Sequence, residues 1–545
     1  VAAAADVNPV LHPNKIYLDA FPLVSGAGGA RYPAVSEAIV NQILSGALLF
    51  NYSGHGNDQR LTEEAVFSSV EANRFNNPNK LPLFITASCD FAPHDDPAKQ
   101  SLGEFLLHGN TAGGIALLTT TRLVFAYSNR IMNEQFMKVA LQRGANGQYL
   151  SLGESVRIAK NNTAASGGDI LNSRKFALLG DPAMQLALPK GLMRIDSING
   201  AALSSSDSLQ ALGKYRLSGS VLLPAGGVDA SFNGTASVII YDKPQLIKTL
   251  GNKASSPVTP FSEQRSVLFN GKVAVSNGLF NCSFILPKDI RFAPGFGSIS
   301  LYAFNGISDA AGSTSIGISG FAAAVPSDSK GPDIRLFLND TLFMNGGLSN
   351  ESPVLIALLS DSSGINATGN SIGHDITLVI DGASNNQLVL NNAFSYRTNS
   401  YQSGELQFQL PVLSPGKHSL KLKAWDVLNN SNDASLDFWI SSQEKLTISA
   451  VRNFPNPFAG STQFSFEHNQ RNTNLFVEIF ISDSQGRLVK RLSERVNSSG
   501  SRNVQLHWNG DTGFGRKLSR GTYFYRIIVS TITQQTQYTG QLLLL

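Results

Sequence analysis

Two rhythms of hydrophobic and polar positions divide the chain. Across residues 1–190, short continuous apolar runs alternate with stretches of helical spacing. The runs are Lys15–Ala20, Ala47–Tyr52, Leu83–Ala87 and Gly114–Thr119. The helix-compatible stretches are Pro33–Leu44, Thr62–Ala72, Ser101–His108 and Tyr127–Arg143. Strands apolar at every position must be buried on both faces, so this region predicts a parallel sheet covered by helices on either side. Beyond residue 190 the helical spacing stops. Segments such as Ser237–Tyr241, Ser298–Tyr302, Asp333–Phe337, Ile376–Ile380 and Ser419–Lys423 recur between Gly, Asn, Asp and Ser turns. That regularity predicts β-sandwiches. Polar or Pro/Gly-rich stretches near Pro189, at Pro326–Pro332 and at Ser441–Glu444 set the expected units at 1–190, 191–328, 329–443 and 444–545.

Composition narrows the function classes. The chain has 545 residues, 42% of them apolar, ample for several packed cores. Only 15% are charged, the net charge is +4, and no run of Lys or Arg could track phosphates, so nucleic-acid and membrane-surface binding gain no support. The two cysteines, Cys89 and Cys282, make neither a disulfide framework nor a zinc knuckle. No apolar stretch has the length of a transmembrane helix. Val1–Asp6 is apolar without a basic flank, so it is not a signal peptide, and a missing initiator Met leads us to expect a fragment. The Ser/Asn/Gly/Thr-rich texture leans towards an extracytoplasmic protein.

Candidate chemistry collects at two strand ends. His55, in Ser53-Gly-His-Gly56, follows the Ala47–Tyr52 run, and Cys89, in Thr86-Ala-Ser-Cys-Asp90, follows Leu83–Ala87. Active sites of open parallel sheets lie at the carboxyl ends of the strands. The helix-sized segment between the two runs suits one right-handed crossover, which makes the strands neighbours about 5 Å apart. An imidazole and a thiol on one edge form a base and a nucleophile, because the thiolate is the reactive form. Gly54 and Gly56 permit a tight turn and close approach of a substrate backbone, and the N–H groups of Gly56 and Cys89 are candidate oxyanion donors. Against this stands the ordinary reading of a lone cysteine as a small buried hydrophobe and of Gly-His-Gly as a turn. Cys282 is the internal control: it alternates in phase with Phe280 and Phe284 and is expected to face a core.

Tyr52-Ser-Gly-His-Gly56 and Thr86-Ala-Ser-Cys-Asp-Phe91 resemble the strand ends of the gingipain-type, caspase-like cysteine peptidases. Asp95-Asp-Pro97, Ala112–Arg122 and Phe176–Pro182 extend the likeness over residues 15–190. The resemblance implies Cys89 as nucleophile, His55 as base and Gly56 as an oxyanion donor. It places the orienting acid upstream of Gly-His-Gly, where Asp19 has unconvincing spacing and reads as a turn or cap residue, so that acid is expected to precede residue 1. Asp95 and Asp96 fit helix capping as well as specificity. His94 lacks a strand–glycine context.

At the other end, Asn453–Phe458, Val477–Ile481, Gly486–Val489, Leu506–Gly510 and Gly521–Arg526 resemble a type IX secretion C-terminal sorting domain, with Trp508 as core anchor and Gly521 at a tight turn. Ser363–Asp375 and the long β-region resemble the sortases of that system. The fold class that follows is a caspase-like α/β domain, then β-sandwich (Ig-like) domains, then a β-sandwich sorting domain. The function it implies is a cell-surface endopeptidase and transpeptidase that cleaves sorting domains from cargo proteins. Its partners would be those cargo proteins, an outer-membrane β-barrel and a glycolipid acceptor. No cofactor is required by such chemistry; Asp361 and Asp375 are candidates for a structural Ca²⁺, against their ordinary role in loop hydrogen bonding. The alternatives are a secreted gingipain-like endopeptidase and a non-catalytic β-rich surface adhesin.

Overall fold

The computed structural model describes residues 7–26, 29–109, 112–144, 147–223, 226–291, 293–324, 327–368, 373–383, 387–440, 446–470, 474–497, 503–513, 515–531 and 534–545. The expected boundary at Ser441–Glu444, Pro326 of the one before it, and residues 369–372 of the Ser363–Asp375 segment lie outside these.

The first unit is built on four strands, β1 (Leu49–Ser53), β2 (Leu83–Ala87), β3 (Ala116–Thr120) and β4 (Phe176–Leu179), lying side by side in that order. The first three are parallel and β4 runs antiparallel to β3. Every residue of β2 and β3 is buried, which is why their sequences are unbroken by exposed polar positions. Successive side chains point to opposite faces. Leu83, Ile85 and Leu118 therefore meet α4 (Ala126–Ala140) and α5 (Leu152–Ala165), with Met132 and Phe136 in the same core. Phe84 and Leu117 pack on the other side with α1 (Pro33–Ser45) and α3 (Leu102–His108). Reciprocal capping boxes, Ser68 with Glu71 and Ser101 with Glu104, start the short helix Ser69–Ala72 and α3. Such caps contribute about 1 kcal/mol each.

Thr62–Ala72 is not the helix its Thr-Glu-Glu-Ala composition suggests. Arg60–Leu61 pairs antiparallel with Phe67–Ser68, and only Ser69–Ala72 is helical. Burial of Leu61, Val66 and Phe67 overrides the local helix propensity. Helix α5, by contrast, escaped the sequence pattern, although Ser151, whose side chain accepts from the Glu154 N–H, marks its start. Lys15–Ala20 holds only a 3₁₀ turn, Leu18–Ala20.

Residues 191–321 correct the expectation of a two-sheet sandwich. Their main strands form one nine-stranded sheet that closes on itself through a parallel pairing of Ala310 with Gly191 and Ala311 with Leu192. Cys282 lies inside it, 1% exposed. Strands between Asp333 and Ile440 form a four-stranded and a five-stranded sheet, and those from Ile448 to Leu544 a three-stranded and a four-stranded sheet. In this last unit Trp508 is buried against Phe458 and Phe464, and its indole N–H donates to the Asp511 carbonyl at 3.1 Å. The closed sheet and the following sheets share one continuous apolar core. Phe269 stacks on Tyr396 at 5.2 Å across the seam, and the Asn399 N–H donates to the Lys272 carbonyl at 2.7 Å.

Candidate active site

Strand pairing decides whether the thiol and the imidazole share a rim. Leu49 lies opposite Leu83 and Ser53 opposite Ala87. His55 and Cys89 each stand two residues beyond that last pair, at the carboxyl ends of adjoining parallel strands. The Gly54 N–H reaches the Ala87 carbonyl at 3.4 Å and carries the contact one step past the strands. His55 is exposed and Cys89 half-buried, so neither is sealed in a core.

The backbone around His55 is held from two sides. Its carbonyl accepts from the Thr62 N–H at 2.9 Å and from the Tyr52 hydroxyl at 2.6 Å. Asn57 N–H donates to the Arg60 carbonyl at 3.0 Å. These two bonds flank an antiparallel pairing of Gly56 with Leu61 in which that pair itself is the non-hydrogen-bonded one. The turn therefore leaves the Gly56 N–H untaken. Neither Gly54 nor Gly56 adopts a left-handed backbone. Their necessity is spatial: a Cβ on Gly54 would lie 2.6 Å from the Tyr52 hydroxyl, and one on Gly56 2.3 Å from the Ser88 hydroxyl oxygen. Burial pushes the Tyr52 hydroxyl pKa far above its ordinary value and keeps it a donor.

The Cys89 turn is laced to the segment after β3. The Cys89 thiol donates to the Val124 carbonyl at 3.5 Å, the Ala92 N–H to the Thr120 carbonyl at 3.1 Å, and the Asp90 N–H to the Arg122 carbonyl at 3.4 Å. The Thr120 hydroxyl donates to the Ser88 carbonyl. Asp90 takes φ 45°, a left-handed conformation that Asp tolerates better than most residues, and the chain turns there just beyond Cys89. Thr-Thr-Thr-Arg122 is thus the support of the Cys89 turn, a role that the sequence pattern alone did not disclose. Beside it, Leu123, Phe125 and Tyr127 stand largely exposed and form an apolar rim.

The remaining candidates fall elsewhere. Asp19 does not meet His55: its carboxylate accepts from the Gly251 N–H at 2.9 Å and the Asn252 N–H at 2.8 Å, in the second unit. Those bonds, led by the Asn252 N–H, hold its pKa below the usual carboxylate range. Among the described residues no side chain pairs with the His55 imidazole. Asp95 forms a two-pronged ion pair with Arg122, which draws its carboxyl down to about 2. Asp96 accepts from the Ala98 N–H at 3.0 Å as an ordinary turn residue. His94 Nδ1 faces the Ala92 carbonyl.

Asp361 gathers with Asp328 and Asp426, their ligand oxygens within 4.8 Å of one another. Asp375, its expected companion in a Ca²⁺ site, is not in that group. It lies near His374 and Asp289, and burial raises its pKa. Asp361 Oδ1 accepts from the Ser363 and Gly364 N–H groups, and the Asp426 carboxylate accepts from the Asn430 N–H and side-chain amide.

Adjoining strands of a helix-covered sheet thus bring a half-buried thiol and an exposed imidazole to one rim. Residues 2–187 match the model of peptidase family C25. The chain is also similar to the crystal structure of dimeric latent PorU from Porphyromonas gingivalis, at 28% identity over 80% of this chain and 41% of that one, TM-score 0.33. It therefore spans about two fifths of that protein's length. Two structures of the Porphyromonas gingivalis Arg-specific cysteine proteinase gingipain R align at 13% identity over 52% of this chain. One is the complex of its pro- and mature domains (57% of that chain, TM-score 0.27); the other covers 56% of its chain, TM-score 0.26. No curated protein matches significantly in sequence. Among the described residues no helix is long and apolar enough to cross a membrane.

Proposed function

We propose that the chain is the C-terminal part of a cell-surface cysteine endopeptidase and transpeptidase, a sortase that removes C-terminal sorting domains from type IX secretion cargo. The observation that supports it most is the family C25 match across the very residues that set His55 and Cys89 at one rim. The His55 imidazole takes the Cys89 proton, and the thiolate adds to the scissile carbonyl carbon. The N–H groups of Gly56 and Cys89 receive the developing oxyanion; losing one such donor typically costs about 3–4 kcal/mol of barrier. The imidazolium then returns its proton to the leaving amine as the C–N bond breaks, and a thioester remains on Cys89. Water or the amine of a surface glycolipid attacks that thioester, with His55 again taking the proton, and the thiol is restored. No cofactor enters these steps.

The β-units would dock cargo, and residues 444–545, as a retained sorting domain, would hold the enzyme to an outer-membrane β-barrel. The test is a Cys89→Ala strain. Cargo should accumulate with its sorting domain uncleaved, whereas normal processing would refute the sortase reading.

A further inference from the structure

A hairpin of the second unit, Gln245–Lys248 with Pro260–Glu263, leaves the closed sheet and lies against the peptidase domain. The neighbouring ring of Tyr241 stacks on His12 at 3.9 Å, and Tyr17 meets the hairpin's Phe261 edge-on at 4.8 Å. Asp19 grips the backbone of Gly251 and Asn252, and the Leu250 N–H donates to the Asp19 carbonyl at 2.6 Å. This grip delivers the next residue, Lys253, to Glu64, with which it forms an ion pair. The Glu64 side chain is only 11% exposed, so the pair is shielded on the acidic side.

Glu64 sits in the turn that fixes His55. Thr62 and Ala65 flank it at φ 63° and 49°. A β-branched threonine in the left-handed region is an outlier that persists only when its surroundings over-determine it. The N–H of that same Thr62 holds the His55 carbonyl at 2.9 Å. Within the turn, the Ala65 N–H donates to the Thr62 carbonyl at 3.3 Å and the Val66 N–H to the Thr62 hydroxyl at 3.4 Å.

We propose that Lys253 is a positioning residue for His55: by anchoring Glu64 from the second unit, it holds the Thr62–Ala65 turn in its left-handed form and so sets the imidazole against Cys89. Competence of the peptidase site then depends on docking of the β-hairpin. The inference rests on the reading of His55 as the base of Cys89.

The test uses the full chain and iodoacetamide as probe, measuring the alkylation rate of Cys89 at neutral pH by mass spectrometry, with the thermal midpoint recorded alongside. Displacing a catalytic group by about an ångström can cost up to a hundredfold, so Lys253→Ala should slow Cys89 alkylation roughly tenfold or more at a near-unchanged midpoint. Lys253→Arg should retain the rate, and Lys253→Glu combined with Glu64→Lys should recover most of it. His55→Ala is the reference. If it slows alkylation while Lys253→Ala does not, or if Lys253→Arg fares no better than Lys253→Ala, the positioning role is overturned and the Cys–His reading survives. If His55→Ala leaves the rate unchanged, both fall.

Discussion

Gly56→Ala is the sharpest probe of the contact between the two strand-end turns. The new methyl carbon would lie 2.3 Å from the Ser88 hydroxyl oxygen, 3.0 Å from the Arg60 carbonyl oxygen and 3.3 Å from a Leu61 methyl. Relaxed non-bonded contacts lie at roughly 3.5–4.0 Å, so the first of these is too close by more than an ångström. Ser88 has little room to yield, being 1% exposed, with its carbonyl bonded to Thr120. Overpacking of this kind costs about 1–3 kcal/mol. The strain falls on the turn that carries His55 and on the residue before Cys89, so we expect it in the reaction barrier. At tenfold per 1.36 kcal/mol, Cys89 alkylation and peptide turnover should fall by about five- to 150-fold.

Among the described residues the Ser88 hydroxyl has no hydrogen-bond partner, so removing it leaves none of them unpaired. Ser88→Ala alone should therefore be close to neutral, and Gly56→Ala with Ser88→Ala should recover much of the loss. A double-mutant cycle on alkylation rates reads the coupling directly. Parental rates in Gly56→Ala, or strictly additive losses in the pair, would refute this account of why a glycine follows the histidine.

The two thiols should differ in reactivity. Burial raises the Cys282 pKa to about 12, which leaves about one molecule in ten thousand as thiolate at pH 8, so Cys89 should react at least a hundredfold faster; equal labelling would contradict the site. Trp508→Ala should destabilise the C-terminal unit by about 3–5 kcal/mol in urea denaturation, and a change under 1 kcal/mol would mean that Trp508 is not the core anchor. At His418, burial acts to lower the pKa but is outweighed by hydrogen bonds to the Ser414 carbonyl and the Asp381 carboxylate, each 2.7 Å, so the net shift is upward from 6.5. That stability is present in full below about pH 6.5 and is lost as pH rises through the higher folded-state value. Asp381→Asn should weaken the pH dependence of the urea midpoint over about pH 6–8, and an unaltered profile would refute the pairing.

The placement of His55 and Cys89 was legible because a buried parallel strand writes itself as an unbroken apolar run, and the residue just past such a run is fixed to one rim. What anchors those two residues was not legible. Thr120 and Val124 lie more than thirty positions from Cys89 and reach it only through β2–β3 pairing. Asp19 reads as a local turn or cap residue because nothing nearby in the chain reveals that Gly251 and Asn252 come to meet it. Thr62–Ala65 has the composition of a helix start, yet the His55 carbonyl claims the Thr62 N–H and pulls the segment into a turn. The closed sheet evaded the alternation pattern, because an inward–outward rhythm is the same in a sandwich and a barrel, and closure rests on Gly191 meeting Ala310 from the far end of the unit.

The seam between the closed sheet and the sheets that follow has a thermodynamic corollary. Phe269, Phe284, Tyr396 and Phe394 belong to one packed interior rather than to two. Melting either half strips contacts from the other, so calorimetry should register residues 191–440 as a single cooperative transition. A fragment beginning near residue 329 would present Tyr396 and its neighbours to solvent and should aggregate or bind a hydrophobic dye. Dissection of the chain between its two middle units would therefore split one interior.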